Sequence, residues 1–102
     1  MFVRLTYLSF LPGKTEEAIK IYKEELVPVV KRITGNFDCR LFEPVSKDDD
    51  YISMTVWENQ EYADAYQSSG IYKQLVDSIR FLYSKNPVLK VYITEKVIEN
   101  AE

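Results

Sequence analysis

YISMTVWENQEYADAYQSSGIY, running from Tyr51 through Trp57 to Tyr72, carries the signals that decide the fold. Its first part is dense in β-branched and aromatic residues and ends at the only tryptophan, which reads as a buried strand, Tyr51 to Glu58. Asn59 then offers a helix N-cap, because a short side-chain oxygen at that position accepts an otherwise unpaired backbone N–H. The helix it opens runs to about Gln67, and Ser68-Ser69-Gly70 breaks it. Tyr62, Tyr66 and Tyr72 follow Trp57 at helical spacing. An aromatic at a strand's exit with tyrosines arriving over it builds one wall of an apolar pocket with polar handles.

Outward from this stretch the same alternation of signals continues. Phe2 to Phe10 reads as a strand that ends at the Pro12-Gly13 turn. Thr15 is the expected N-cap of a first helix, with Glu16 and Glu17 where the helix dipole favours negative charge. Ile19, Tyr22, Leu26, Val29 or Val30, and Ile33 give it one apolar face, with a kink or break expected at Pro28, and Gly35-Asn36 ends it. Phe37 to Glu43 is the second strand, joined to the third by the polar segment Val45 to Asp50. Beyond Gly70, Tyr72, Leu75, Val76, Ile79, Leu82 and Tyr83 share one face of a longer helix stopped by Asn86-Pro87. Val88 to about Ile98 is the last strand, and the final Asn-Ala-Glu is expected to fray.

The order strand, helix, two strands, helix pair, strand is the split βαβ arrangement. It predicts a ferredoxin-like α+β fold, a four-stranded antiparallel sheet with helices on one face, over a single domain spanning residues 1–102.

Composition narrows the function classes. Thirteen basic against sixteen acidic residues leave a net charge of −3, which offers no footprint for nucleic acid or anionic lipid. The glycine-aromatic signature of sheet modules that stack RNA bases is also missing. The apolar start, MFVRLTYLSF, carries Arg4, is too short to span a bilayer and lacks a signal peptide's charged start, so a cytoplasmic protein without membrane contact is expected. One cysteine, Cys39, forms no intrachain disulfide and reads as a small buried residue. With no histidine in the chain, His-based zinc sites, proximal-His haem ligation and Ser-His or Cys-His nucleophile pairs are excluded within it. Asp48-Asp49-Asp50 reads as a solvated turn, and no metal site or cofactor is expected.

The strands do not alternate cleanly between apolar and polar. Ile52, Met54 and Val56 point one way while Tyr51 and Trp57 point the other, and Leu89, Val91 and Ile93 oppose Val88 and Tyr92. Both faces of the sheet therefore want cover, and a second copy of the chain supplies it with one patch used twice. A standard interface of roughly 1,600 Å² gives on the order of 20 to 25 kcal/mol gross, beyond the roughly 4 to 15 kcal/mol that association costs. A homodimer is expected.

Pro12-Gly13-Lys14 after the first strand, Thr55-Val56-Trp57-Glu58 at the third strand's end, and Ser69-Gly70-Ile71-Tyr72-Lys73 opening the later helix together resemble the antibiotic biosynthesis monooxygenase-like family, small dimeric α/β barrel proteins. The likeness covers nearly the whole chain. It implies that fold and a dimer, and brings two activities into view. Cofactor-free quinone-forming monooxygenases of the family oxidise phenols or anthrones with molecular oxygen, using a strand-end Trp, an Asn and Tyr side chains. Trp57 matches the Trp, Tyr72 and Tyr66 suit the tyrosines, and no residue matches the Asn. Haem-degrading members pair the Trp with a first-strand Asn and a helix His on iron. The matching positions are Thr6 and Val76, so haem chemistry of that type is removed.

The chemistry of such a site is undemanding of the protein. Triplet oxygen reacts slowly with most organic molecules, but an electron-rich phenolate can supply electrons itself. The protein then provides a dry pocket, a hydrogen bond to the phenolate oxygen and a proton partner. Trp57 as donor and Tyr72 as proton partner or orienting group are the expected catalytic pair, with Tyr66, Thr6, Val76 and Arg80 around a small aromatic or quinol substrate. A plainer reading stands beside each. Trp57 also fits a core anchor with its N–H on a carbonyl, Tyr72 a packing residue with its hydroxyl at the rim, and Arg4, Arg40 and Arg80 ordinary solvated arginines. A non-catalytic small-molecule-binding or regulatory dimer of the same fold is the rival function.

Overall fold

The computed structural model describes residues 1–95. Strands β1 (Phe2–Leu8), β2 (Asn36–Phe42), β3 (Tyr51–Trp57) and β4 (Val88–Ile93) form one antiparallel sheet in the spatial order β2-β3-β1-β4. Helices α1 (Thr15–Ile21), α2 (Val27–Val30), α3 (Gln60–Gln67) and α4 (Gly70–Ile79) complete the ferredoxin-like α+β fold that the element order predicts. The expected continuation of the last strand to Ile98, and the fraying of the last three residues, lie outside the described residues. No described helix is long and apolar enough to cross a membrane.

The register shows which face the helices cover. Phe2 pairs with Trp57, Arg4 with Thr55 and Thr6 with Ser53 across β1 and β3, so these residues and Leu8 share one face. Leu8, Cys39 and Trp57 from that face join Ala18, Tyr22, Val30, Ala63, Ile79 and Leu82 from the helices in the buried core. Val3, Leu5, Tyr7, Ile52, Met54 and Val56 fill the opposite face of the central strands, which no described helix covers. All six residues of β4 are exposed.

Pro28 does not break its helix. Between α1 and α2 the chain widens into a π-helical segment, Tyr22–Leu26, with helical dihedrals at both junctions. A proline ring clashes with the carbonyl four residues back, here Glu24, and lacks the N–H that would bond it; the looser π turn absorbs both. Two further expectations shift by a residue or more. Thr15 is the first helical residue, not the cap, and Lys14 precedes it with no side-chain cap bond. The helix ends at Val30, and turns carry the chain to Gly35.

Asn59 caps α3 as expected, its Oδ1 accepting the Tyr62 N–H at 3.1 Å, and Ser69 caps α4 by accepting the Tyr72 N–H at 3.1 Å. Beyond the 3-10 turn Arg80–Leu82, the chain returns along the end of β1. The Leu11 N–H donates to the Leu82 carbonyl and the Ser84 N–H to the Ser9 carbonyl, both at 2.8 Å.

Gly35 and Gly13 both take positive φ, +86° and +77°. A Cβ at Gly35 would overlap the Tyr62 ring, while one at Gly13 would meet nothing within 4 Å. Gly13→Ala is expected to cost only the left-handed strain, about 1 to 2 kcal/mol. Gly35→Ala adds an overpacked ring and is expected to cost about 2 to 5 kcal/mol. Denaturant melts of the two variants check the order; equal losses would remove the Tyr62 contact from the account.

Candidate functional site

The inner face of the two central strands is where this sheet departs from an ordinary core. Arg4, Thr6, Ser53 and Thr55 stand there as a polar floor, neighbours in pairs across β1 and β3. Burying such groups without partners is costly, so a core of this size normally places apolar side chains there. Over the floor lies a cavity of about 130 Å³. Leu75, Val76 and Ile79 of α4 supply an apolar roof, while Tyr22, Tyr66, Tyr72 and Tyr83 bring phenol groups to its walls. Arg4, Thr6, Tyr72, Val76, Tyr83 and Pro87 also line a wider groove of about 710 Å³ outside it. The cavity and groove are therefore one recess with a narrow inner end.

Each wall has a local cause. Tyr22 and Leu26 are both on the π-helical segment, four residues apart and so on one side of it, and both face the cavity. The Tyr22 hydroxyl hydrogen-bonds Ser53 Oγ and donates to the Arg40 carbonyl at 3.4 Å. Tyr72 is set at the mouth by the Ser69 cap at the start of α4. Tyr83 is held against Phe10, ring centroids 6.0 Å apart, where the two strand-end segments meet in an isolated bridge.

Of the residues expected around the site, Tyr66, Tyr72, Thr6 and Val76 line the cavity and Arg80 lines the outer groove. Trp57 lines neither. It is 0 % exposed, its ring stacks on Tyr66 at 5.2 Å and its Nε1–H donates to Thr55 Oγ1 at 2.9 Å. The indole N–H is thus spent on a floor residue of the same strand. Tyr66 in turn meets Tyr72 edge-on at 5.1 Å, giving a ladder of three rings from core to mouth. Tyr62 does not join it and packs on Gly35 instead.

Arg4 corrects the reading of a solvated arginine. It is 7 % exposed, and its Nη1 donates to Gln67 Oε1 at 2.7 Å. Arg40 and Arg80 do fit that reading, since they pair with Asp38 and Asp77 at the surface. Ser53 and Thr55 were not singled out by the residue pattern alone. The signal was their phase: both share the side of β3 that carries Tyr51 and Trp57, so they must lie beneath the helices.

Burial pushes the Tyr22 and Tyr66 phenols well above the ordinary tyrosine range, with the neighbouring Cys39 adding to the effect in both. Burial likewise raises Tyr83 to about 12 and the Cys39 thiol to about 11. The lining of the cavity holds no carboxylate and no histidine. Among the described residues no three His, Cys, Asp or Glu side chains gather where they could hold a metal ion. The recess therefore offers hydroxyl donors, the Arg4 guanidinium within and Arg80 and Lys85 along the groove, and no carboxylate or imidazole to act as a base.

These raised values predict an alkaline limb. Unfolded Cys ionises around 9 and unfolded Tyr around 10, whereas the folded groups keep their protons to about 11 and above. Their contribution to stability is whole below pH 9 and falls as pH rises through that window, because the unfolded chain releases protons first. The melting temperature should fall progressively above pH 9. Of the eight tyrosines, Tyr22, Tyr66 and Tyr83 should ionise only as the fold is lost. Ionisation of all eight at the ordinary value with the fold intact would refute this.

Comparison with known proteins places the chain in a family. A family model described as antibiotic biosynthesis monooxygenase matches residues 1–78. A Nitrosomonas europaea protein, named provisionally as an antibiotic biosynthesis monooxygenase, superposes with a TM-score of 0.82 at 16 % identity, over 92 % of this chain and 98 % of its own. A conserved protein from Methanosarcina mazei superposes with a TM-score of 0.80 at 14 % identity, over 93 % and 94 %. One of unknown function from Bacteroides thetaiotaomicron does so at 0.76 and 23 % identity, over 89 % and 95 %. At such identities these structures speak to the fold alone. No curated protein gives a significant match. The family model covers most of the chain, and its residues include the floor, the aromatic ladder and most of the roof: the chain belongs to the antibiotic biosynthesis monooxygenase family.

Proposed function

We propose that the recess binds a small aromatic or quinol compound and promotes its reaction with molecular oxygen without a cofactor. The observation that carries this is the lining: a polar floor and phenol walls beneath an apolar roof, in a chain of this family. Oxidation of a ring-activated methylene to a carbonyl needs no outside reductant. The carbon gives up four electrons, one oxygen atom becomes the carbonyl and the other leaves as water. The protein's part is to keep the ring dry, hold the developing oxyanion by hydrogen bonds and present the ring in one orientation.

In this reading Tyr72 donates to the substrate oxygen from the mouth, Tyr66 and Thr6 orient the ring, Val76 packs on it and Arg80 stands at the entrance. Trp57 acts through its neighbours. It fixes Tyr66 by stacking and Thr55 by its N–H, and so serves as a positioning residue and not as the direct donor.

The rival reading is a non-catalytic binding or regulatory protein, and one observation favours it: nothing in the lining accepts a proton at neutral pH. Oxygen uptake decides between them. With a phenol, anthrone or quinol that shifts the melting temperature, the monooxygenase reading expects uptake that Tyr72→Phe lowers about tenfold or more, in line with one lost donor. Binding with no uptake would leave the non-catalytic reading.

We also propose that the chain works as a homodimer through the outer face of the sheet. Leu5, Tyr7, Ile52 and Met54 lie there on the two central strands, continuous with the exposed Phe42, Val88 and Tyr92 on the edges. A lysine placed mid-face would be desolvated without a partner in a dimer and harmless in a monomer. Met54→Lys is expected to halve the mass seen by light scattering while far-ultraviolet circular dichroism stays unchanged. A wild-type monomer at micromolar concentration would overturn the proposal.

A further inference from the structure

We infer that the recess takes its ligand as an organic oxyanion, one aromatic ring across at its inner end, with the charge received by the Arg4 guanidinium. The inference rests on the recess being the ligand site, and not on any oxidation there.

Arg4 is the strongest reason. A guanidinium presents five N–H donors and is always charged. The one side-chain bond Arg4 makes among the described residues goes to a neutral amide, Gln67. None of the ion pairs among those residues includes it. Buried cations are ordinarily matched by an anion, because an isolated one is costly in a medium of low dielectric. Arg4 is buried on a central strand, in phase with Leu8, and lines the cavity and the groove alike. An anion in the recess would supply the missing charge, and the Thr6 and Thr55 hydroxyls beside it add neutral donors.

The other cations of the lining do not compete for such a ligand. The chain as a whole carries −3, yet the groove is lined by Arg4, Arg80 and Lys85 and by no Asp or Glu. Asp77 and Asp50 pair with Arg80 and Lys85 from outside the lining. With those two cations already matched by carboxylates, Arg4 is the cation of the lining left for an anionic ligand to match among the described residues. With no base in the lining, a ligand that must be anionic has to arrive already ionised.

Size then limits the class. An apolar cavity of about 150 Å³ holds a benzene molecule. The inner cavity, about 130 Å³, therefore admits one ring, and any larger part of the ligand lies in the groove.

Calorimetric titration of the protein with benzoate, benzamide and benzyl alcohol tests this. Benzoate is expected to bind about ten- to a hundredfold more tightly than its neutral isosteres, the advantage of hydrogen bonds to charged groups. Arg4→Met keeps the length of the stem and removes the charge. It is expected to abolish the preference by weakening benzoate far more than benzamide, and to raise the melting temperature, since it relieves a buried unmatched charge. Arg4→Lys keeps the charge but not the fork, and should retain part of the preference; with the wild-type comparison it carries the test if Arg4→Met does not fold. Equal affinities for benzoate and benzamide, no benzoate binding at millimolar concentration, or a less stable Arg4→Met that still prefers benzoate would each overturn the inference. Benzoate is not consumed by oxygen under these conditions, so an absence of oxygen uptake on quinols leaves this result untouched. Conversely, turnover of a quinol with no anion preference would sink the inference and spare the monooxygenase reading.

Discussion

The stack of Trp57 on Tyr66 is the contact on which the arrangement of the helices over the sheet depends. Trp57 ends the central strand with no exposed surface, and Tyr66 lies over it from α3 at a centroid distance of 5.2 Å. Burying an aromatic pair of this kind contributes several times more than a typical surface contact, so it fixes where α3 sits. The Ser69 hydroxyl then donates to the Tyr66 carbonyl at 2.6 Å and accepts from the Tyr72 N–H, which ties the start of α4 to the same ring. One anchored aromatic thereby sets both the position of the roof and the tyrosine at the mouth.

What lies under that roof runs against stability. Two central strands expose Arg4, Thr6, Ser53 and Thr55 to the interior, where Val or Ile would bury more apolar surface and leave no polar group to satisfy. Part of the demand is met locally: Trp57 donates to Thr55, Tyr22 bonds Ser53 and Gln67 accepts from Arg4. The rest faces a cavity. Proteins tolerate such arrangements where a ligand completes them, and lose some stability in return.

The π-helical segment answers a separate constraint, Pro28. A regular α-helix through Tyr22–Leu26 would collide with the Pro28 ring at the Glu24 carbonyl. Widening the turn avoids the collision, and Tyr22 and Leu26 of the widened segment both line the cavity.

The amino-acid sequence by itself determined the order and type of the elements, since period-two and period-3.6 apolar patterns, the Asn59 cap and the Gly and Pro breaks are local signals that survive into the fold. It also showed that the face carrying Ile52, Met54 and Val56 wants cover of its own, and it marked the neighbourhood of Tyr66, Tyr72, Thr6 and Val76. It could not tell Arg4 from Arg40 and Arg80. Whether an arginine meets water or a cavity depends on which strand is central and which face the helices cover, and both follow from strand pairing between residues far apart in the chain. The place of Trp57 was likewise a tertiary matter. A strand-end tryptophan suits a pocket wall or the core equally well, and only the seating of α3 over its ring, with Thr55 taking its N–H, put it behind the wall.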